Sequence, residues 1–233
     1  MSTNTKSDNA IALFDEGKNQ QVSRRKFLGY VGATSALLAT AASCKKSSSS
    51  SNNTGVDLGS GDVGILNYAY ALEQLEAAFY TMVIASQYSG ITAQETSYLT
   101  DVRDHEVAHR EFFKAALGAA AIPGLSVTFA SVNFGDRSSV LATAKTFEDL
   151  GVSAYNGAGK LLVSPDYLTL AGKIVSVEAR HAALIRDLIA YNSFADSTVI
   201  DSNGLDVVNE PSAVLAAASP FILTKIDASH LPS

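Results

Sequence analysis

A chain of 233 residues is long enough for one substantial domain plus extensions, and 47% hydrophobic content with 5 Pro and no Trp suits packed helices. The net charge of −6, with 12 basic against 20 acidic residues once residues 1–43 are set aside, argues against a nucleic-acid partner. A single Cys excludes an internal disulfide, so Cys pairing says nothing about redox compartment.

Residues 1–43 read as a targeting segment. Ser23-Arg24-Arg25-Lys26-Phe27-Leu28, followed by apolar and small residues to about Ala42, resembles a twin-arginine export signal. The alternative is a basic amphipathic start to a cytosolic domain. Gly29, Gly32, Thr34 and Ser35 make the apolar part a poor permanent membrane helix. Ala41-Ala42-Ser43-Cys44, followed by Lys45-Lys46 and a run of Ser, resembles a bacterial lipoprotein cleavage site, with Ala41 standing where such sites usually carry Leu. Two outcomes stay open, a lipid anchor at Cys44 or ordinary peptidase cleavage to a soluble protein. The expected location is the periplasm or cell envelope. Residues 44–61 read as a Ser/Asn/Gly-rich linker.

A four-helix bundle is predicted over residues 62–191. The first helix, about Val63 to Ser86, carries the stripe Leu66, Ala69, Glu73, Glu76, Tyr80, Val83. Two carboxylates in an apolar stripe require partners, because an unpaired buried charge is costly; the alternative is that the helix turns both to solvent. The second helix opens at the capping box Thr92-Ala93-Gln94-Glu95 and runs to about Leu117, with Val102, Glu106, His109, Phe113 and Ala116 facing inward. His105 falls one position off that face and is left out of the site. Residues 118–137 are too long for a tight hairpin and read as a long crossover, with Phe129 and Phe134 covering the bundle's side.

The third helix, about Ser139 to Leu162, repeats the first in register: Leu141 for Leu66, Ala144 for Ala69, Glu148 for Glu73, Tyr155 for Tyr80. The mismatch is Gly151 against Glu76. Ser164-Pro165-Asp166 caps a fourth helix, to about Tyr191, with the face Ile174, Glu178, His181, Ile185, Leu188. Residues 192–233 form a loop-rich tail, with a short helix after Pro211, packing on the bundle; His230 lies in a loose end with no ligand signal.

The chemistry lies in Glu106-Val107-Ala108-His109 and Glu178-Ala179-Arg180-His181. Residues three apart share a helix face, so each Glu-x-x-His aims a carboxylate and an imidazole at one point. One such pair is a weak signal. Here Glu106 to Glu178 and His109 to His181 are each 72 residues apart, and Glu73 to Glu148 is 75. Two Glu-x-x-His helices plus one Glu from each of two others make a two-metal carboxylate site. Glu73, Glu106, His109, Glu148, Glu178 and His181 are the expected ligands. Carboxylates and imidazoles favour Fe or Mn. Tyr80 and Tyr155 are expected behind the ligands, as hydrogen-bond donors, redox-active groups or plain core. Glu76 is expected on the path to the metals, where it relays protons or holds an entering ion; the alternative pairs it with a basic side chain or His105.

These stretches (Leu72-Glu73-x-Leu75-Glu76-Ala77-x-Phe79-Tyr80, Glu106 with His109, Glu148-x-x-Gly151-Val152-x-Ala154-Tyr155, and Val177 to Ala183) resemble the ferritin-like domain family that includes desiccation-related proteins. The resemblance covers about residues 62–225. It implies an all-α, ferritin-like four-helix bundle with the long crossover between its second and third helices. Its wider superfamily binds two Fe or two Mn ions, and includes ferroxidases, rubrerythrins and manganese catalases. Three functions follow as expectations: an exported di-metal oxidoreductase acting on a small oxidant such as peroxide or dioxygen, a non-catalytic envelope stress protein, and an iron-storage shell. A membrane tether on every subunit argues against the closed cage.

Overall fold

The structure is a computed structural model, and it describes residues 55–233. The export motif and Cys44 lie outside the described residues. Four long helices, α1 (Gly61–Ala85), α2 (Ala93–Leu117), α3 (Arg137–Gly159) and α4 (Pro165–Ile189), are followed by a short α5 (Pro211–Ala218). Val56–Asp57 (β1) and Ile226–Asp227 (β2) pair in parallel. The densest packing is of α1 on α2 and of α3 on α4, so the bundle is two helical hairpins laid together. Among the described residues no helix is long and apolar enough to cross a membrane.

The helix starts follow from their caps. The Thr92 hydroxyl accepts from the Glu95 amide at 3.0 Å while Glu95 Oε2 accepts from the Thr92 amide at 3.0 Å, closing the capping box that opens α2. Asp136 accepts from the Ser138 amide and starts α3 two residues ahead of the expected Ser139. Ser164 caps α4 with Pro165 in its first turn, and Asp62 at the start of α1 accepts from the Val163 and Ser164 amides at 2.8 and 2.9 Å. That carboxylate fastens the α3–α4 corner to the opening of α1.

The crossover, residues 118–136, runs against α1 and is pinned by two amide side chains. Asn67 donates to the Leu58 and Ala120 carbonyls and accepts from the Ile122 amide; Gln74 accepts from the Leu125 amide at 2.8 Å. Phe129, Phe134 and Phe221 join Phe79 and Phe147 in an aromatic cluster with ring centroids 4.8–6.5 Å apart. The expectation of one apolar stripe on the first helix is therefore corrected. In α1, 17 of 25 residues are buried, because the crossover covers the face that a plain bundle would leave to water.

The tail is tied down at three places. The Asn209 amide donates to the Ser153 carbonyl at 3.1 Å, and a Cβ at Gly157 would run into the Asn209 carbonyl, so only glycine lets the chain pass. Arg186 is buried on α4 and forks onto both Asp149 oxygens at 2.7 and 2.8 Å; it also donates to the Thr198 hydroxyl and pairs with Asp196 at 3.2 Å. β2 pairs with β1, and His230 Nδ1 lies 3.1 Å from Asp57 Oδ2. Two expectations are corrected here. The residues around His230 are not a loose end, and the linker stops short of residue 61, since Val56 and Asp57 are in a strand and Leu58 is fully buried. Their partners lie about 170 residues away in sequence, beyond the reach of any composition argument.

Candidate metal centre

Each of the four long helices brings its polar residues to the same level of the bundle. α1 supplies Glu73 and Tyr80, α2 Glu106 and His109, α3 Glu148 and Tyr155, α4 Glu178 and His181. The four carboxylates are fully buried and His181 nearly so. Their donor atoms fall into two overlapping groups, each within 4.8 Å: Glu73, Glu106, His109 and Glu178, and Glu106, Glu148, Glu178 and His181. Glu106 and Glu178 belong to both. The six residues singled out by spacing are thus the ones the fold brings together.

His109 Nδ1 sits 2.8 Å from Glu178 Oε1, 3.5 Å from Glu73 Oε2 and 4.0 Å from Glu106 Oε2. His181 Nδ1 sits 2.8 Å from Glu106 Oε1, 3.5 Å from Glu148 Oε2 and 3.6 Å from Glu178 Oε2. Close as these atoms are, none of the contacts has hydrogen-bond geometry. Among the described residues, eight of the ten buried side-chain N and O atoms without a hydrogen bond belong to these six residues. Buried polar atoms are nearly always paired, so eight unpaired ones aimed at one another need a common partner. Cations coordinated by oxygen and imidazole nitrogen fit that need. Carboxylate and imidazole donors of this kind are compatible with a bound metal ion.

The tyrosines are arranged reciprocally across the bundle. Tyr80 on α1 donates to Glu148 Oε1 on α3 at 2.5 Å, and Tyr155 on α3 donates to Glu73 Oε1 on α1. Each hydroxyl holds one carboxylate oxygen and leaves the other facing inward. Burial first, and then the adjacent carboxylate, pushes both phenols well above their ordinary range, so they stay protonated donors.

The electrostatics of the cluster are those of crowded acids and two imidazoles. Burial raises Glu73, Glu106 and Glu148, the last to about 7. Burial works against a charged His109, but the Glu178 and Glu73 carboxylates outweigh it and raise the imidazole to about 10. His181 is likewise desolvated, yet Glu106, Glu148 and Glu178 bring it to about 12. Glu178 is the one acid held below its ordinary value: burial raises it, and His109 and His181 more than reverse that.

Glu76 stands beside the cluster without joining either group. It is buried and forms no hydrogen bond or ion pair among the described residues. Its Oε1 lies 3.1 Å from where a Cβ on Gly151 would be, so the missing side chain on α3 is what accommodates it. Burial, then Glu106, Glu178, Glu148 and Glu73, raises its pKa well above the ordinary value.

The sequence reading missed the role of His105. Its Nδ1 lies 3.0 Å from His181 Nε2, with the two ring planes parallel to within 10°. The available signal was the His105/His109 spacing of four, which places two imidazoles on neighbouring positions of one helix.

A family model described as a ferritin-like domain matches residues 61–191. No curated protein gives a significant match.

Proposed function

The chain belongs to the ferritin-like domain family, and on that premise we propose that it is an exported di-metal carboxylate protein, with Fe or Mn bound by its buried cluster, that carries out redox chemistry on peroxide or dioxygen. The observation that carries the metal reading is the set of eight converging, unpaired buried atoms. Glu73 and His109 would hold one ion, Glu148 and His181 the other, and Glu106 and Glu178, common to both groups, would bridge them. A pair of redox-active ions held there would supply two electrons to one small oxidant. The chain's own part is to orient and protect. The Tyr80 and Tyr155 hydroxyls fix the outer carboxylates, and the buried surroundings exclude water. Glu76, whose pKa burial and the neighbouring Glu106 raise well above its ordinary value, would be the group to hold a proton beside the cluster.

An apolar cavity of about 30 Å³ reaches Tyr155 between Leu72, Phe113 and Ala154. It is large enough for one small molecule, and Tyr155 alone links its lining to the cluster.

Reconstitution under anaerobic Fe(II) or Mn(II), followed by metal analysis, tests the reading. Two ions per chain are expected, and protein that takes up none ends the proposal. Turnover of peroxide or oxidation of excess Fe(II) then separates an oxidoreductase from an envelope stress protein that uses metal only for stability. For export, replacing Arg24 and Arg25 with Lys should trap the protein inside the cell, and Cys44→Ala should release the domain from membranes if a lipid anchor holds it.

A further inference from the structure

We propose that the two halves of the centre are inequivalent: the position framed by Glu148 and His181 binds its ion first and tightly, and the one framed by Glu73 and His109 is labile, because His105 holds the outer nitrogen of one imidazole and, among the described residues, none holds that of the other. This rests on the cluster binding metal at all.

The two histidines are alike on the inner side. Each turns Nδ1 towards three carboxylates. They differ on the outer side. An imidazole that offers its Nδ1 lone pair to a cation carries its proton on Nε2. For His181 that proton has an acceptor, His105 Nδ1, 3.0 Å away. For His109 Nε2 no hydrogen bond forms among the described residues. A hydrogen bond on the outer nitrogen fixes the tautomer and the ring rotation, and makes the inner nitrogen a better donor.

The origin of the difference can be read from the repeat. His105 precedes Glu106 on α2 and reaches across to the imidazole of α4. The matching residue, 72 positions later and before Glu178, is Val177, which has no atom to accept a proton from His109. Exposure runs the same way: the His109 side chain is 13% exposed and that of His181 5%. The labile position is therefore also the one nearer water, where an ion would exchange.

The test uses the purified metal-free protein and Mn(II) without oxygen. Crystals of protein given one equivalent should show anomalous density between Glu148 and His181; density between Glu73 and His109, or equal density at both, overturns the inference. Calorimetric titration should resolve a tight and a weak ion. His105→Ala should weaken the tight one by about 10- to 100-fold and leave the weak one in place. His105→Gln, whose amide oxygen can accept the same proton, should recover part of the loss. His105 is exposed, so the melting temperature of the metal-free His105→Ala protein should not move, which separates this role from a general effect on folding. A tight ion unaffected by His105→Ala overturns the inference. Protein that binds no Mn(II) overturns the metal reading itself, and this inference with it.

Discussion

The first hairpin of the bundle, α1 with α2, and the second, α3 with α4, present matching groups at the centre and different ones around it. Glu73 answers Glu148, Tyr80 answers Tyr155, and the two Glu-x-x-His pairs answer each other. Away from these positions the correspondence fails. Glu76 faces Gly151 instead of a second carboxylate. His105 on α2 has Val177 as its counterpart on α4. Arg186, five residues after His181, is buried and clasps the tail, while Lys114, five after His109, is exposed. The centre is near-symmetric because each of its two groups draws residues from both hairpins. The shell around it can diverge, since the crossover is pinned to α1 through Asn67 and Gln74 while residues 196–209 are pinned to α3 and α4 through Ser153 and Arg186.

The sharpest break in the comparison should come from the two carboxylates common to both groups. Glu106→Ala or Glu178→Ala should remove most binding of both ions, whereas Glu73→Ala or Glu148→Ala should cost one, as counted by metal analysis after reconstitution. Equal losses from all four substitutions would mean that none of them bridges. Next in size is the clasp. Arg186→Ala leaves Asp149 and Asp196 without their main cation and should lower unfolding free energy by about 3 kcal/mol. Lys114→Ala, at the matching exposed position, should stay within about 0.5 kcal/mol. Denaturant melts of the metal-free protein measure both.

The pH dependence should follow from the crowded acids. Glu148 is raised to about 7 in the folded state from an ordinary 4.5. Between those values the unfolded chain releases its proton first, so the metal-free fold loses stability as pH rises. His109, raised to about 10 from 6.5, contributes stability fully present below 6.5 and lost as pH climbs towards 10. Both effects have one sign. Metal binding has the opposite one, because ions must displace these protons. The gap in melting temperature between Mn(II)-bound and metal-free protein should widen from about pH 5 to about pH 8, and a constant gap would count against ligation by His109 and Glu148.

The smallest effect concerns Glu76. Glu76→Ala should keep both ions and slow only their loading, followed by stopped-flow. Gly151→Ala should act in the same direction, since its Cβ would press on the Glu76 carboxyl at 3.1 Å. Loss of an ion from Glu76→Ala, with none lost from Glu73→Ala, would reverse the roles assigned to the two acids of α1.

Much of this architecture is written locally. Caps such as Thr92 and Ser164-Pro165 mark helix starts through contacts three residues long. A helical period of 3.6 puts Glu106 with His109, and Glu178 with His181, on single faces without reference to the rest of the chain. The matched separations then suffice to nominate six residues, and the fold gathers those six. What could not be read locally depends on pairs distant in sequence. His105 meets His181 across 76 residues, and Arg186 meets Asp149 across 37. The Leu58 amide donates to the distant Asp227 carbonyl, and α1 is covered by a crossover whose path hangs on Asn67 and Gln74. Helix periodicity and capping are short-range, so the residues alone specify them. Which imidazole is supported from behind, and which face of a helix is dry, are settled only when long-range packing brings one segment over another.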